Sequence, residues 1–109
     1  MYKRQIHWNK SDTGSHTVVA VSTERIGVDI ETMKERPFYK ISKRYFDSHE
    51  VTANKLFFYD TWTRKEAYTK WKKEKIAVNM KGCVKRDAWG RDMIPLKGLP
   101  DNVIGYICC

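Results

Sequence analysis

The chain has no apolar run long enough to cross a bilayer, and nothing near its start has the charged, apolar and small-residue succession of a secretory signal. Those absences argue against a membrane partner and make the cytoplasm the expected location. Cysteine is scarce and odd in number, with Cys83 alone and Cys108 beside Cys109 in no CxxC spacing. That argues against a disulfide framework, offers no thiolate metal site, and leaves the thiols buried or idle. There is no internal repeat, no low-complexity tract and no Pro- or Gly-rich linker. Acidic residues are outnumbered 13 to 21 by Lys and Arg, so the net charge is +8. No zinc-finger spacing or RNA-binding octamer accompanies that charge.

What is present suits one small domain. A chain of 109 residues with 13% aromatics carries enough large apolar surface to offset its conformational entropy. Its charge implies an anionic partner or a well-solvated surface; nucleic acid, a phosphorylated small molecule and an acidic protein all fit. The opening MYKRQ reads as the in-frame translation of a mosaic-end sequencing adapter. Residues 1–5 are therefore expected to be non-native and residues 6–109 to be the domain, with the natural chain continuing upstream.

Along the chain, IHWN alternates weakly and KSDTGS has turn composition. The β-branched HTVVAVS predicts a strand, and IGVDIE (26–31) predicts a second strand paired with it as a hairpin. Residues 38–46 have helical spacing, with Ile41 and Tyr45 at i and i+4, and Ser48 is placed to cap a short helix from His49. The segment 57–71, FFYDTWTRKEAYTKW, lacks Gly and Pro and predicts a largely buried helix. Beyond Ile76 short strands are expected, with turns at Gly82, WGRD and KGLPDN, and VIGYICC as the last strand. Trp8, Trp62 and Trp71 read as core; His7 and His16 read as structural or exposed.

In IGVDIE, strand alternation sends Ile26, Val28 and Ile30 to one face and Gly27, Asp29 and Glu31 to the other. Two acids side by side repel, so a cation is their natural partner. On the helix, Phe58, Trp62, Glu66 and Lys70 form one i, i+4 ridge. Three carboxylates, Asp29, Glu31 and Glu66, suit a hard divalent cation such as Mg²⁺, and Lys70 suits a phosphate. Glu66 with Lys70 reads equally as a helix-surface ion pair.

In combination, IGVDIE followed by WTRKEAYTK resembles the two signatures of the 4′-phosphopantetheinyl transferases, a GVD/GID-x-E strand and a W-[ST]-x-K-E-[AS]-x-x-K helix. Upstream, WNKSDTG resembles the third, aromatic-N-x-S-H-[ST]-G. The order and spacing are similar to the C-terminal half of the surfactin-type branch. This resemblance implies an α+β half domain, an antiparallel sheet packed against helices. It implies Mg²⁺-dependent transfer of phosphopantetheine from coenzyme A to a serine of an acidic acyl or peptidyl carrier protein. Asp29, Glu31 and Glu66 then match the metal ligands. Glu66 and Lys70 match the catalytic pair, and Asp29, Glu66, Lys70, Ser11 and Thr13 match coenzyme A contacts.

Two positions depart from the pattern. Asp12 falls where the family has a histidine that meets the coenzyme A 3′-phosphate, and Lys10 could offset its charge. Lys73-Glu74-Lys75 replaces a G-x-G turn. Lys65 reads as packing or surface, and Glu50 as an ordinary surface acid. The resemblance also implies a partner for this half, either an N-terminal half or a second copy. The Gly27, Asp29 and Glu31 face is expected to be open in the isolated chain, with apolar surface left on the strand from His16 or the one near Tyr106. A basic nucleic-acid-binding module and an inactive fragment remain the alternative readings.

Overall fold

The computed structural model describes residues 5–73, Gly82 and residues 90–109. Strand β1 (His7–Thr13) turns through Gly14 and Ser15 into β2 (His16–Ser22), with Thr13 paired to His16. KSDT thus extends the strand, and the turn itself is only two residues long. Gly14 takes a φ of +58° while Ser15 stays negative, as a type II′ turn demands.

Strand β3 (Gly27–Thr32) does not pair with β2. It pairs antiparallel with β5 (Val103–Cys108), which pairs on its other edge with β4 (Met93–Pro95), giving the order β3-β5-β4. The expected hairpin fails because β1 lies along the free edge of β3 and satisfies it with side chains. Asn9 Oδ1, Ser11 Oγ and Thr13 Oγ1 accept from the backbone N–H groups of Val28, Ile30 and Thr32 at 2.9, 2.9 and 3.0 Å. Alternation along β1 puts these three acceptors on one face, in step with the alternate inward N–H groups of β3.

Helix α1 (Phe38–Tyr45) buries Phe38 and Ser42 and leaves Tyr45 exposed. Next comes a 3₁₀ turn, Ser48–Glu50, capped by Asp47 rather than by Ser48. Asp47 accepts from His49 N, and Glu50 accepts from Asp47 N in a capping box. Helix α2 (Lys55–Lys72) starts at Asn54, whose side chain accepts from Phe57 N, and ends on Lys73.

Phe38, Phe46, Phe58 and Tyr59 form one core cluster, with Trp62 packed against it. Ala67, Tyr68, Tyr106 and Cys108 form another, with Trp71 at its side. Phe57 and Trp8, expected inside, are exposed. The strands and turns expected at 76–81 and 83–89 lie outside the described residues. The later turn signals hold, with positive φ at Gly90 and Gly98. Among the described residues this is an α+β fold with two antiparallel sheets and two α-helices.

Candidate functional site

The site is built where α2 crosses β3. Gly27 decides how close they come: a Cβ there would run into the backbone of Ala67 and Trp71, so only glycine lets the helix lie against the strand. The consequence corrects the expectation of an open acid face. Gly27 and Asp29 are buried under α2, with Asp29 only 3% exposed, and Glu31 is half-buried. Tyr106 is buried as well. Its hydroxyl donates to Asp60, and the Arg64 guanidinium lies over its ring, so α2 covers that strand too. Of the two strands expected to leave apolar surface open, the one from His16 does so, with Val19 and Val21 exposed beside Trp8 and Ile6.

Asp29 Oδ1 accepts from Ser11 Oγ at 3.3 Å and lies 3.4 Å from Lys70 Nζ. Its Oδ2 is buried without a hydrogen-bond partner among the described residues. Glu31 Oε1 accepts from Trp62 Nε1 at 3.2 Å. Lys70 also donates to the Lys10 carbonyl at 3.3 Å. Its ion pair is thus with the strand carboxylate rather than with Glu66 along the helix.

Burial, then the Glu31 and Glu66 charges, push the Asp29 carboxyl up to about 8, with Lys70 pulling the other way. Burial and Glu31 push Glu66 up to about 7. Burial also raises Glu31, against the opposing hydrogen bond from Trp62. The three acids therefore share one enclosed neighbourhood with more negative charge than Lys70 neutralises.

Among the described residues, no three His, Cys, Asp or Glu side chains close into a group tight enough to hold a metal. Lys70 and Trp62 each engage one oxygen of the strand acids. The donor set still suits a hard cation: all carboxylate oxygen, crowded enough to resist ionising, and with one buried oxygen unpartnered.

The remaining expected contacts are placed as follows. Ser11 is buried, its hydroxyl spent between Ile30 N and Asp29, so it orients the carboxylate. Thr13 Oγ1 lies 2.8 Å from Thr32 Oγ1, at the edge of a cavity of about 300 Å³ that Glu31, Lys34, Arg36 and Trp62 also line. Asp12 is exposed, accepts from Thr17 Oγ1 at 2.5 Å, and has Lys10 Nζ 3.9 Å away. His16 is exposed and His7 half-buried.

Glu50 and Lys65 are not surface groups. Lys65 is 1% exposed, its ammonium 2.7 Å from Glu50 Oε1, donating to the Gly82 carbonyl and lying over the Phe46 ring. Sequence reasoning missed this pair and the Trp62–Glu31 hydrogen bond. The adjacent pair Lys65-Glu66 was the available signal, since neighbours on a helix point about 100° apart and only one can face β3. Both described thiols are raised by burial first, Cys108 to about 12.

The profile of the 4′-phosphopantetheinyl transferase superfamily matches residues 25–98. The chain is 35% identical over 78 residues to a Synechocystis sp. protein assigned as a 4′-phosphopantetheinyl transferase, covering 62% of this chain and 32% of that protein. It is 34% identical over 73 residues to a 4′-phosphopantetheinyl transferase of Bacillus subtilis, covering 60% and 32%. This chain belongs to the 4′-phosphopantetheinyl transferase superfamily. It spans about a third of the length of these relatives.

Proposed function

We propose that the chain carries the metal and diphosphate side of a surfactin-type site that transfers 4′-phosphopantetheine from coenzyme A to a serine of an acidic acyl or peptidyl carrier protein. The observation that supports this reading is the buried Asp29, its carboxyl pushed up to about 8 beside Glu31 and Glu66, with Oδ2 unpartnered among the described residues and Lys70 at 3.4 Å. Asp29, Glu31 and Glu66 would hold a Mg²⁺ ion, which when bound offsets charge on a diphosphate. Lys70 gives the phosphate a point charge that can swing from Asp29. Glu66, or a water it orients, takes the proton from the attacking serine hydroxyl. The new bond joins that oxygen to phosphorus, and the bond to adenosine 3′,5′-bisphosphate breaks. The other wall of the coenzyme A site would come from an N-terminal half or a second copy.

The test is coenzyme A binding in Mg²⁺ and in chelator, followed by conversion of an apo-carrier protein by the chain joined to a compatible N-terminal half. Asp29→Asn is expected to abolish the Mg²⁺-dependent part of binding and to leave the fold intact. Binding that ignores both Mg²⁺ and Asp29→Asn would overturn the reading.

A further inference from the structure

We infer that Tyr106, acting through Asp60 and Arg64, is a positioning residue that fixes the roll of α2 over the sheet and with it the place of Glu66 beside Asp29 and Glu31. The Tyr106 hydroxyl donates to Asp60 Oδ1 and accepts from Arg64 Nη2 at 3.1 Å, while Arg64 Nε donates to Asp60 Oδ2 at 3.0 Å. The three groups close a ring, and the guanidinium carbon lies 4.5 Å from the Tyr106 ring centroid. Each member holds the other two, so the contact is directional in a way that apolar packing is not.

Its place in the fold decides what it controls. Tyr106 is the cross-strand partner of Asp29, so both side chains rise toward α2 from neighbouring strands. Between them Ala67 of α2 rests against Gly27. A methyl against bare backbone brings helix and strand close and gives the helix no directional hold. Successive helix residues turn by about 100°, which puts Arg64 about 60° from Ala67 on one flank and Glu66 about 100° from it on the other. Rolling α2 by a small angle therefore lowers one flank and lifts the other. Lys65 lies about 160° from Ala67 and ties the outward side of α2 to Glu50, so its hold is not on the sheet.

The Glu66 flank has contacts of its own, Lys70 with Asp29 at 3.4 Å and Trp62 with Glu31 at 3.2 Å. Both engage carboxylates that a bound cation would take, so a filled site weakens both. The ring at Tyr106 engages none of them and keeps its hold on α2. The inference rests on the proposed function only for that cation.

The test uses the full chain. In isotope-labelled protein without metal, the Trp62 indole N–H resonance follows the bond to Glu31 and so the approach of α2 to β3. Isothermal titration with coenzyme A in Mg²⁺ and in chelator follows the site. Tyr106→Phe removes only the hydroxyl, and Asp60→Ala breaks the same ring from the half-exposed helix surface should the first variant fail to fold. Asp60→Asn keeps an acceptor for the hydroxyl. Ser42→Ala, on α1, loses its bonds to Thr52 and lowers stability without touching the ring. In Tyr106→Phe and Asp60→Ala the indole resonance is expected to move toward that of an unbonded indole. The Mg²⁺-dependent affinity is expected to fall about tenfold, the lower end of what a supporting partner contributes to a metal site. Asp60→Asn should keep most of both, and Ser42→Ala all of both.

An unmoved indole resonance in both ring variants would overturn the assignment. So would equal changes in Ser42→Ala, or a loss in Asp60→Asn as large as in Asp60→Ala, which would make charge rather than position the cause. Mg²⁺-dependent binding indifferent to the ring variants removes the positioning role and leaves the transferase reading in place. A moved indole resonance in a chain whose coenzyme A binding ignores Mg²⁺ does the reverse.

Discussion

Asp29 is where local chemistry and stability meet most directly. In the unfolded chain its carboxyl ionises near 3.8, and in the fold only near 8. A folded-state pKa raised in this way contributes stability that is fully present below about pH 4 and is lost as pH rises through about 8. Glu66, raised from 4.5 to about 7, acts with the same sign. The chain in chelator should therefore melt at a lower temperature at about pH 8.5 than at about pH 5, and Asp29→Asn should flatten that slope. A wild-type melting temperature that stays level or rises across this range would count against the charge crowding. Lys70→Ala removes the cation beside Asp29, so coenzyme A binding should weaken markedly. Lys70 is 31% exposed but its partner Asp29 only 4%, so the variant leaves a buried carboxyl without its cation and should cost roughly 1–3 kcal/mol while the carboxyl stays protonated. Denaturant melts alongside titration separate the two effects, and an unfolded Lys70→Ala chain would assign the residue to structure.

At the scale of elements, the contact between α2 and β3 governs the site. Gly27→Ala should force the helix away from the strand, because the added methyl meets backbone rather than a movable side chain. Overpacking of this kind costs roughly 1–3 kcal/mol and would carry Glu66 and Lys70 with it. Chemical denaturation should show the loss, and coenzyme A binding should fall further than the stability change alone requires. The end of the same helix offers the opposite trade. Lys73→Gly relieves the left-handed strain and should stabilise the chain by about 1 kcal/mol. Chemical denaturation should show the gain, and an unchanged or lower stability would mean that Lys73 takes this backbone conformation without strain.

Over the whole molecule, the β1–β2 hairpin shows its outer face to solvent. Trp8 pairs across to Val21, and both are about two-thirds exposed, with Ile6 and Val19 beside them. A contiguous apolar face of this kind favours association despite the net charge of +8. The bare chain is expected to elute above its monomer size, and Trp8→Ser with Val19→Thr to shift it back toward the monomer in size-exclusion chromatography. Elution of the unmodified chain as a clean monomer would contradict this. Among the described residues no helix is long and apolar enough to cross a membrane.

Local pattern was enough to place the candidate residues on their elements and to find most of those elements. Asp29 and Glu31 on a strand, Glu66 and Lys70 on a long helix, and the final strand could all be read from alternation, i, i+4 spacing and the absence of helix breakers. Those properties depend on neighbours within a few residues, which the sequence displays directly. Strand partnership was different. Nothing local says that Asn9, Ser11 and Thr13 would replace a paired strand along β3, or that β5 would take its other edge, because both depend on residues far apart in the chain. Burial was also decided in three dimensions. The face of Gly27, Asp29 and Glu31 was expected to stand open, but the fold lays α2 over Gly27 and Asp29. Glu50 looked like an ordinary surface acid and Lys65 like packing or surface, until folding brought them within 2.7 Å of each other in the interior. A charged residue shows its type in sequence, whereas the partner that permits its burial is supplied only by the tertiary structure.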